Sequence, residues 1–361
     1  MTRSFFIAAL VAVPVLLAPG RQERPTGQGF SFRTGVELIN VTATVTDQGG
    51  HFVSGLSVND FVLYEDGKPQ EITQFESERV PVSLGIALDT SGSMLGEKIV
   101  AAQAALNRFL IDLLGPQDEV FLYRFDGRPE LVEGWTEDRR GLSRSLGSIR
   151  PNGGTAMYDT VAEAVPMAQS GSRRKKALVV ISDGNDTSSR TPVDDLRQRI
   201  RQSEVLIYAI GIDASGNDSN YSAKSSSSAA PSSPPSQPKP LPVPSPFPGK
   251  KPATQPAPPP PPPPPSRAPS SSSSRSTRSS VDRVNPEALR SMTDDSGGRT
   301  EIIVSPRDLD PATAGIADEL SRQYFLGYTS TLPKDGRWHT IEVRMRRGNY
   351  VVRARKGFIA S

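Results

Sequence analysis

One stretch, SLGIALDTSGSM at residues 83–94, predicts a buried strand that runs directly into a polar turn. Small and branched apolar residues alternate in its first half, and Asp, Ser, Thr and Gly dominate the second, which is typical of a strand that ends at a loop. Apolar residues at helical spacing follow over residues 99–113, which indicates an amphipathic helix. Asp89, Ser91 and Ser93 therefore lie in one strand-to-helix turn, where three oxygen side chains can converge beside free backbone N–H groups.

The chemistry of this turn has two interpretations. Mg²⁺ prefers near-octahedral oxygen ligands at about 2.1 Å and keeps several waters, so one carboxylate and two hydroxyls form part of a suitable ligand set. Ser and Asp are also common N-cap residues, and helix capping alone would explain them. Two later loops favour a metal site: NGGT contains Thr155 before a helical segment, and VVISDG contains Asp183 after a second apolar strand. Both loops follow predicted strands at their carboxyl ends, where an open parallel sheet assembles its ligand site.

The three loops, in this order, resemble the von Willebrand factor type A (VWFA) domain, and all five side chains match the family pattern. The resemblance implies an α/β fold with a doubly wound, mostly parallel sheet and a metal-ion-dependent adhesion site (MIDAS) at its carboxyl edge. It implies that Ser91 and Ser93 bind the ion directly, while Asp89, Thr155 and Asp183 bind it directly or through water. We expect Mg²⁺, with Mn²⁺ or Ca²⁺ as alternatives. Because few charges surround such an ion, a carboxylate from a protein partner is the expected last ligand.

Strands and helices alternate over residues 81–213, and the alternation resumes over residues 283–322. This pattern predicts a parallel sheet with helices on both faces, interrupted by an insert at residues 214–282. The insert is rich in Ser and Pro, includes eight consecutive prolines, and is predicted to be disordered. It is either a functional spacer or ligand for proline-binding modules, or a tolerated surface-loop insertion.

Two prolines in the first part bear on helix boundaries. Thr191 and Pro192 predict a helix start with Thr191 as the cap and Pro192 at the first position. Pro166 lies inside the helix predicted over residues 156–169 and is expected to kink it or to end its regular hydrogen bonding.

Period-two patterns at both ends of the chain predict β-strands. The Asp66-Gly67 dipeptide favours a tight hairpin turn between the strands predicted at residues 61–64 and 72–75, and residues 60–70 resemble the segment before the A domain in bacterial secreted VWFA-related proteins. Because a lone hairpin is barely stable, we predict that the two chain ends pair into a small β-sandwich with the α/β domain inserted between them. The predicted strands lie at residues 39–45, 61–64, 72–75, 323–330, 338–347 and 350–358.

The N-terminus has the features of a secretory signal peptide, with Arg3, a short apolar run, and Ala-Pro-Gly before polar residues. The run is short for a transmembrane helix, so we predict cleavage after Gly20 and a secreted, periplasmic or cell-envelope chain without a membrane span. An uncleaved N-terminal anchor is the alternative. The predicted segments are a signal peptide (1–20), a flexible tether (21–34), an N-terminal β unit (35–80), the first part of the VWFA domain (81–213), the insert (214–282), the last part of the VWFA domain (283–322) and C-terminal strands (323–361).

Composition argues against several functions. The net charge of +3 is too small to suggest nucleic acid, and the absence of cysteine excludes disulfides and cysteine nucleophiles. His51 and His339 are the two histidines, expected in surface strands or turns and away from any nucleophile-elbow motif. Ser91 stands where an aspartic protease core needs Gly and where a D-x-D phosphatase needs a carboxylate, and no P-loop motif is present. Six basic residues in the tail form either a polyanion site or solvated, edge-protecting strand faces: Arg344, Arg346, Arg347, Arg353, Arg355 and Lys356.

The sequence therefore predicts an exported, non-enzymatic adhesion or protein-binding module that uses a MIDAS to engage an acidic residue of a partner. A structural cell-envelope scaffold without a metal-dependent partner is the alternative. A metal-dependent hydrolase is the third hypothesis.

Overall fold

The computed structural model describes residues 37–213 and 284–360. The predicted signal peptide, tether and insert lie outside these ranges, within which no helix is long and apolar enough to cross a membrane. The strands are β1 (Glu37–Thr46), β2 (Phe61–Glu65), β3 (Lys68–Gln70), β4 (Ile72–Glu76), β5 (Val82–Asp89), β6 (Glu119–Phe125), β7 (Pro129–Thr136), β8 (Lys175–Ser182), β9 (Leu206–Ile212), β10 (Thr300–Ile303), β11 (Tyr324–Ser330), β12 (Trp338–Met345), β13 (Val351–Ala354) and β14 (Gly357–Ile359). The α-helices are α1 (Glu97–Arg108), α2 (Arg139–Ser148), α3 (Met157–Gln169), α4 (Val193–Arg201), α5 (Pro286–Thr293) and α6 (Leu309–Arg322).

A six-stranded sheet in the order β10-β9-β8-β5-β6-β7 forms the centre of the α/β part. Its strands are parallel to their neighbours except for the edge strand β7, which is antiparallel to β6. β5 is buried along its whole length, because α1, α2 and α6 cover one face of the sheet while α3, α4 and α5 cover the other. The prediction of a doubly wound, mostly parallel sheet is confirmed.

Two four-stranded antiparallel sheets, β13-β1-β11-β4 and β14-β12-β2-β3, form a β-sandwich. Apolar residues of both sheets share one core, which includes Val41, Leu63, Leu326 and Phe358. The strands β1 to β4 precede the α/β part in the chain, and β11 to β14 follow it. The predicted sandwich with an inserted α/β domain is therefore confirmed.

A buried carboxylate, Glu319 of α6, joins the sandwich to the α/β part. Its side chain is 1% exposed and accepts hydrogen bonds from Thr44 of β1 at 3.1 Å and from Tyr208 of β9 at 2.9 Å. It also forms ion pairs with Arg299 and Arg353. Because a buried charge is tolerated only when it is paired and hydrogen-bonded, these contacts fix how the two parts are oriented.

Two strand predictions are wrong in detail. The Asp66-Gly67 turn joins β2 to β3, whereas β4 pairs with β11 in the other sheet. The strand predicted over residues 350–358 is two strands, β13 and β14, which pair with β1 and β12 in different sheets. Both sheets bury one face of each strand, so the same period-two pattern appears whichever sheet a strand joins.

The helix boundaries agree with the predictions in part. α3 contains Pro166 and ends at Gln169, the end predicted for it. The missing N–H of the proline removes one hydrogen bond near the helix end, while the buried face of α3 stays packed on the sheet. The N-cap of α4 is Pro192, not Thr191, because Pro192 has an extended backbone. The last turn predicted for the first helix is a π-helical turn at Phe109–Leu113.

His339 is buried, so the prediction of a surface position for this residue is wrong. It is 8% exposed and lies between the carboxylates of Asp66, at 2.7 Å, and Asp335, at 3.2 Å. Burial lowers the pKa of His339, but the hydrogen bonds and charges of these carboxylates outweigh burial and raise it overall. His51 is exposed.

The basic tail is not a continuous exposed patch. Arg353 pairs with Glu319, and the buried Arg355 lies 3.6 Å from Glu204. These two arginines therefore serve contacts inside the protein.

Candidate metal centre

The first loop of the site is positioned by β5, which ends at Asp89. A 3-10 turn follows at Gly92–Met94, and Gly96, with φ of 84°, directs the chain into α1. The Ser91 N–H donates to Asp89 Oδ1 at 2.8 Å, and the hydroxyl oxygens of Ser91 and Ser93 lie 3.0 Å apart. Three predicted ligands thus share one hydrogen-bonded loop.

The third loop lies at the same edge because β8 is parallel to β5 and pairs with it. Ser93 Oγ donates to Asp183 Oδ1 at 2.8 Å, and Ser182 Oγ donates to Asp89 Oδ2 at 2.5 Å. Both carboxylates are buried, with 0% exposure for Asp89 and 1% for Asp183. A chain of hydrogen bonds therefore links Asp89, Ser91, Ser93 and Asp183 across two loops.

Thr155 belongs to the loop before α3. The Gly92 N–H donates to the Gly153 carbonyl at 3.0 Å, which fastens this loop against the first one. A Cβ built on Gly184 would lie 3.8 Å from Thr155 Oγ1 and 3.9 Å from Ser93 Oγ. The hydroxyls of the first and second loops thus face the same point beside the third, and the structure brings all five predicted residues together.

Burial dominates the electrostatics of Asp89 and raises its pKa to about 6. Hydrogen bonds from Ser182 and Ser91 act in the opposite direction, and the nearby charge of Asp183 raises the pKa further. Because two neighbouring buried carboxylates repel each other, a cation beside them would stabilise the charged form of both.

Two residues of the cluster were not predicted from the sequence. Ser182 donates a hydrogen bond to one carboxylate oxygen of Asp89. Its position directly before Asp183 in the sequence could have indicated that it lies at the site. Lys98, on the first turn of α1, places its Nζ 2.5 Å from Asp183 Oδ2 and 3.2 Å from the Ser93 carbonyl oxygen. The sequence feature that could have indicated Lys98 is its position five residues after Ser93. At this spacing a side chain on the first turn of the helix can reach back to the loop.

The donor set fits a hard divalent cation. The cluster offers carboxylate and hydroxyl oxygens, which Mg²⁺, Mn²⁺ and Ca²⁺ prefer. In the part of the chain that the structure describes, no group of three or more His, Cys, Asp or Glu side chains could hold a metal ion. An ion at this edge would therefore rely on hydroxyls and water in addition to Asp89 and Asp183.

Residues 84–185 match the family model of the von Willebrand factor type A domain. They extend from β5 to the loop that holds Asp183, and so include all five predicted ligands. Fold and cluster define an α/β domain with an oxygen-rich site at the carboxyl edge of its sheet. Over residues 84–185 the chain is therefore similar to the von Willebrand factor type A domain in sequence and in fold.

Curated relatives match a part of the chain. Inter alpha-trypsin inhibitor, heavy chain 4 of Mus musculus is 27% identical over 165 residues, which cover 42% of this chain and 17% of that protein. The corresponding protein of Homo sapiens is 26% identical over 154 residues, which cover 39% and 16%. The chain thus spans about a sixth of the length of these relatives.

Solved structures are similar at low sequence identity. A von Willebrand factor type A structure from Catenulispora acidiphila has a TM-score of 0.44 at 13% identity, covering 91% of this chain and 74% of that one. Proximal thread matrix protein 1 from the mussel byssus, in a structure with a zinc-occupied MIDAS motif, has a TM-score of 0.46 at 10% identity and covers 71% and 50%.

Proposed function

We propose that this protein is an exported, non-enzymatic binding module whose MIDAS holds a divalent cation on Asp89, Ser91, Ser93, Thr155 and Asp183. The observation that carries the proposal is a chain of hydrogen bonds that runs from Asp89 to the Ser91 N–H and from the Ser91 hydroxyl through Ser93 to Asp183, with Thr155 facing the same point. All five side chains offer oxygen. Mg²⁺ is the proposed ion, and Mn²⁺ and Ca²⁺ accept the same type of ligand.

The ligand set also indicates the chemistry of the partner. When bound, the ion supplies a Lewis-acidic position for an anionic oxygen. Ser and Thr hydroxyls are neutral, so the two carboxylates provide the only negative charge among the proposed protein ligands. Asp89 is held by Ser182 and by the Ser91 N–H, which preorganises it. A carboxylate of a protein partner is therefore the proposed final ligand.

Positive charge around the site favours an acidic partner. Arg128, Arg150 and Arg190 are exposed on three loops that border the proposed ligands. Glu97, exposed at the start of α1, is an opposing charge. Three exposed guanidinium groups can attract acidic side chains of a partner and orient them toward the site.

The proposal of a non-enzymatic role rests on the lack of a histidine or cysteine near the site in the described part of the chain. The chain has two histidines and no cysteine. His51 contacts Asp47 after β1, and His339 contacts carboxylates of the sandwich, so in the described part of the chain no histidine borders the carboxyl edge of the α/β sheet. The usual nucleophile–base pair of a hydrolase has no counterpart there.

Export is proposed from the sequence pattern of residues 1–20, with a secreted, periplasmic or cell-envelope location. The predicted segment boundaries are part of the same proposal. A structural envelope scaffold without a metal-dependent partner is the competing function.

Two experiments test the proposal. Calorimetric titration of the full chain with Mg²⁺ should show one site in the wild type and none in Asp89→Ala, with circular dichroism as the check on folding. Affinity capture from the native extracellular material, with Mg²⁺ or with EDTA, should yield a partner that binds the wild type only with Mg²⁺ and never binds Asp89→Ala. Metal binding without any metal-dependent partner would favour the scaffold.

A further inference from the structure

We infer that Lys98 is a built-in competitor at the metal site: its ammonium group holds Asp183 and lowers the affinity of the site for divalent cations. The inference rests on the metal site of the proposed function, and it adds the residue that sets metal affinity.

The contacts of Asp183 are the geometric basis. Lys98 Nζ lies 2.5 Å from Asp183 Oδ2, and Ser93 Oγ donates to Asp183 Oδ1 at 2.8 Å. Both carboxylate oxygens are therefore hydrogen-bonded within the protein. Lys98 Nζ also lies 3.2 Å from the Ser93 carbonyl oxygen. An ion that uses Asp183, directly or through water, must replace one of these bonds or share an oxygen with it.

Burial makes the competition strong. The Asp183 side chain is 0% exposed and the Lys98 side chain is 21% exposed, so little water screens their charges. An ammonium group and a divalent ion on one carboxylate repel each other. A neutral residue at position 98 removes this repulsion and frees one Asp183 oxygen. If Lys98 only positioned Asp183, its replacement would instead weaken metal binding.

The position of Lys98 in its helix supports this reading. Lys98 is the second residue of α1, where backbone N–H groups give the helix end a partial positive charge. A lysine is unfavourable there, whereas the preceding Glu97 is favourable. Helix stability therefore does not explain a lysine at position 98, whereas the contact between Lys98 and Asp183 does.

Calorimetric titration of the full chain with Mg²⁺ tests the inference. Lys98→Met has similar length without the charge, and Lys98→Arg keeps the charge. Lys68→Met is the control, because it removes the same charge at an exposed position on β3, which belongs to the sandwich and not to the α/β part. We expect Lys98→Met to lower the Kd by about tenfold or more. Lys98→Arg and Lys68→Met should stay within about threefold of the wild type.

Thermal denaturation is the second measurement. Without metal, Lys98→Met should melt at a lower temperature than the wild type, because the buried Asp183 loses its charged partner. At saturating Mg²⁺ its increase in Tm should exceed that of the wild type, since tighter binding stabilises the folded state more. Lys98→Gln is the second neutral variant if Lys98→Met does not fold.

The outcomes separate this inference from the proposed function. A Kd for Lys98→Met equal to or above that of the wild type, in a protein with a native circular dichroism spectrum, overturns the inference and leaves the metal site standing. If Lys98→Met binds Mg²⁺ and the wild type does not, the result supports the inference in its strongest form. If neither protein binds Mg²⁺, Mn²⁺ or Ca²⁺, the proposed function fails and the inference fails with it.

Discussion

Replacement of Glu319 by Ala should destabilise the protein more than any exposed charge change, because this carboxylate joins the sandwich to the α/β part. The substitution leaves Arg299 and Arg353 without their shared partner and removes the acceptor for Thr44 and Tyr208. A buried hydroxyl that loses its acceptor pays a desolvation cost in addition to the lost bond.

The magnitude follows from burial. Breaking a fully buried ion pair costs about 3–5 kcal/mol. The two arginine side chains are 31% and 35% exposed, so water solvates them in the variant and reduces this cost. We therefore expect Glu319→Ala to lower the free energy of unfolding by about 2–4 kcal/mol. Glu319→Gln keeps an acceptor oxygen and should lose about half as much.

Urea denaturation monitored by fluorescence measures this effect. Trp135 of β7 and Trp338 of β12 are the two tryptophans, so single-tryptophan variants report on the α/β part and the sandwich separately. Glu342→Ala, which breaks an exposed pair with Arg344, is the control and should cost less than about 1 kcal/mol. The reasoning is refuted if Glu319→Ala costs no more than this control.

Three further predictions follow from single residues. A Cβ on Gly298 would lie 1.9 Å from the Ile207 carbonyl oxygen, so Gly298→Ala should lower the free energy of unfolding by at least about 2 kcal/mol in urea; wild-type stability would contradict this. Burial lowers the pKa of His339 less than its two carboxylate partners raise it. The resulting stabilisation is therefore complete below the unfolded-state pKa of about 6.5 and lost as the pH rises through the higher folded-state pKa. Tm measured across this pH range should show the loss in the wild type, and an equal loss in His339→Gln would disprove it. Thr155→Val removes one proposed ligand oxygen and should raise the Kd for Mg²⁺ by about tenfold, without changing the Tm of the metal-free protein; an unchanged Kd would exclude Thr155 as a ligand.

Local sequence was sufficient to predict the α/β sheet and five oxygen-bearing residues of the candidate site, but not Ser182 or Lys98. The central strands are recognisable because a parallel strand covered on both faces must be apolar along its length. Asp89, Ser91 and Ser93 share one turn for a purely local reason, since they lie between one strand and the helix that follows. Thr155 and Asp183 could be added because loops after parallel strands meet at one edge of the sheet.

Tertiary structure alone decided which distant groups touch. Lys98 and Asp183 are 85 positions apart, and Thr44 and Glu319 are 275 positions apart, so no local pattern connects either pair. The burial of His339 and the division of the last strands between two sheets have the same origin. The spacing of apolar residues in a sequence indicates which side chains are buried. Which residues they pack against depends on how the strands and helices are arranged in space.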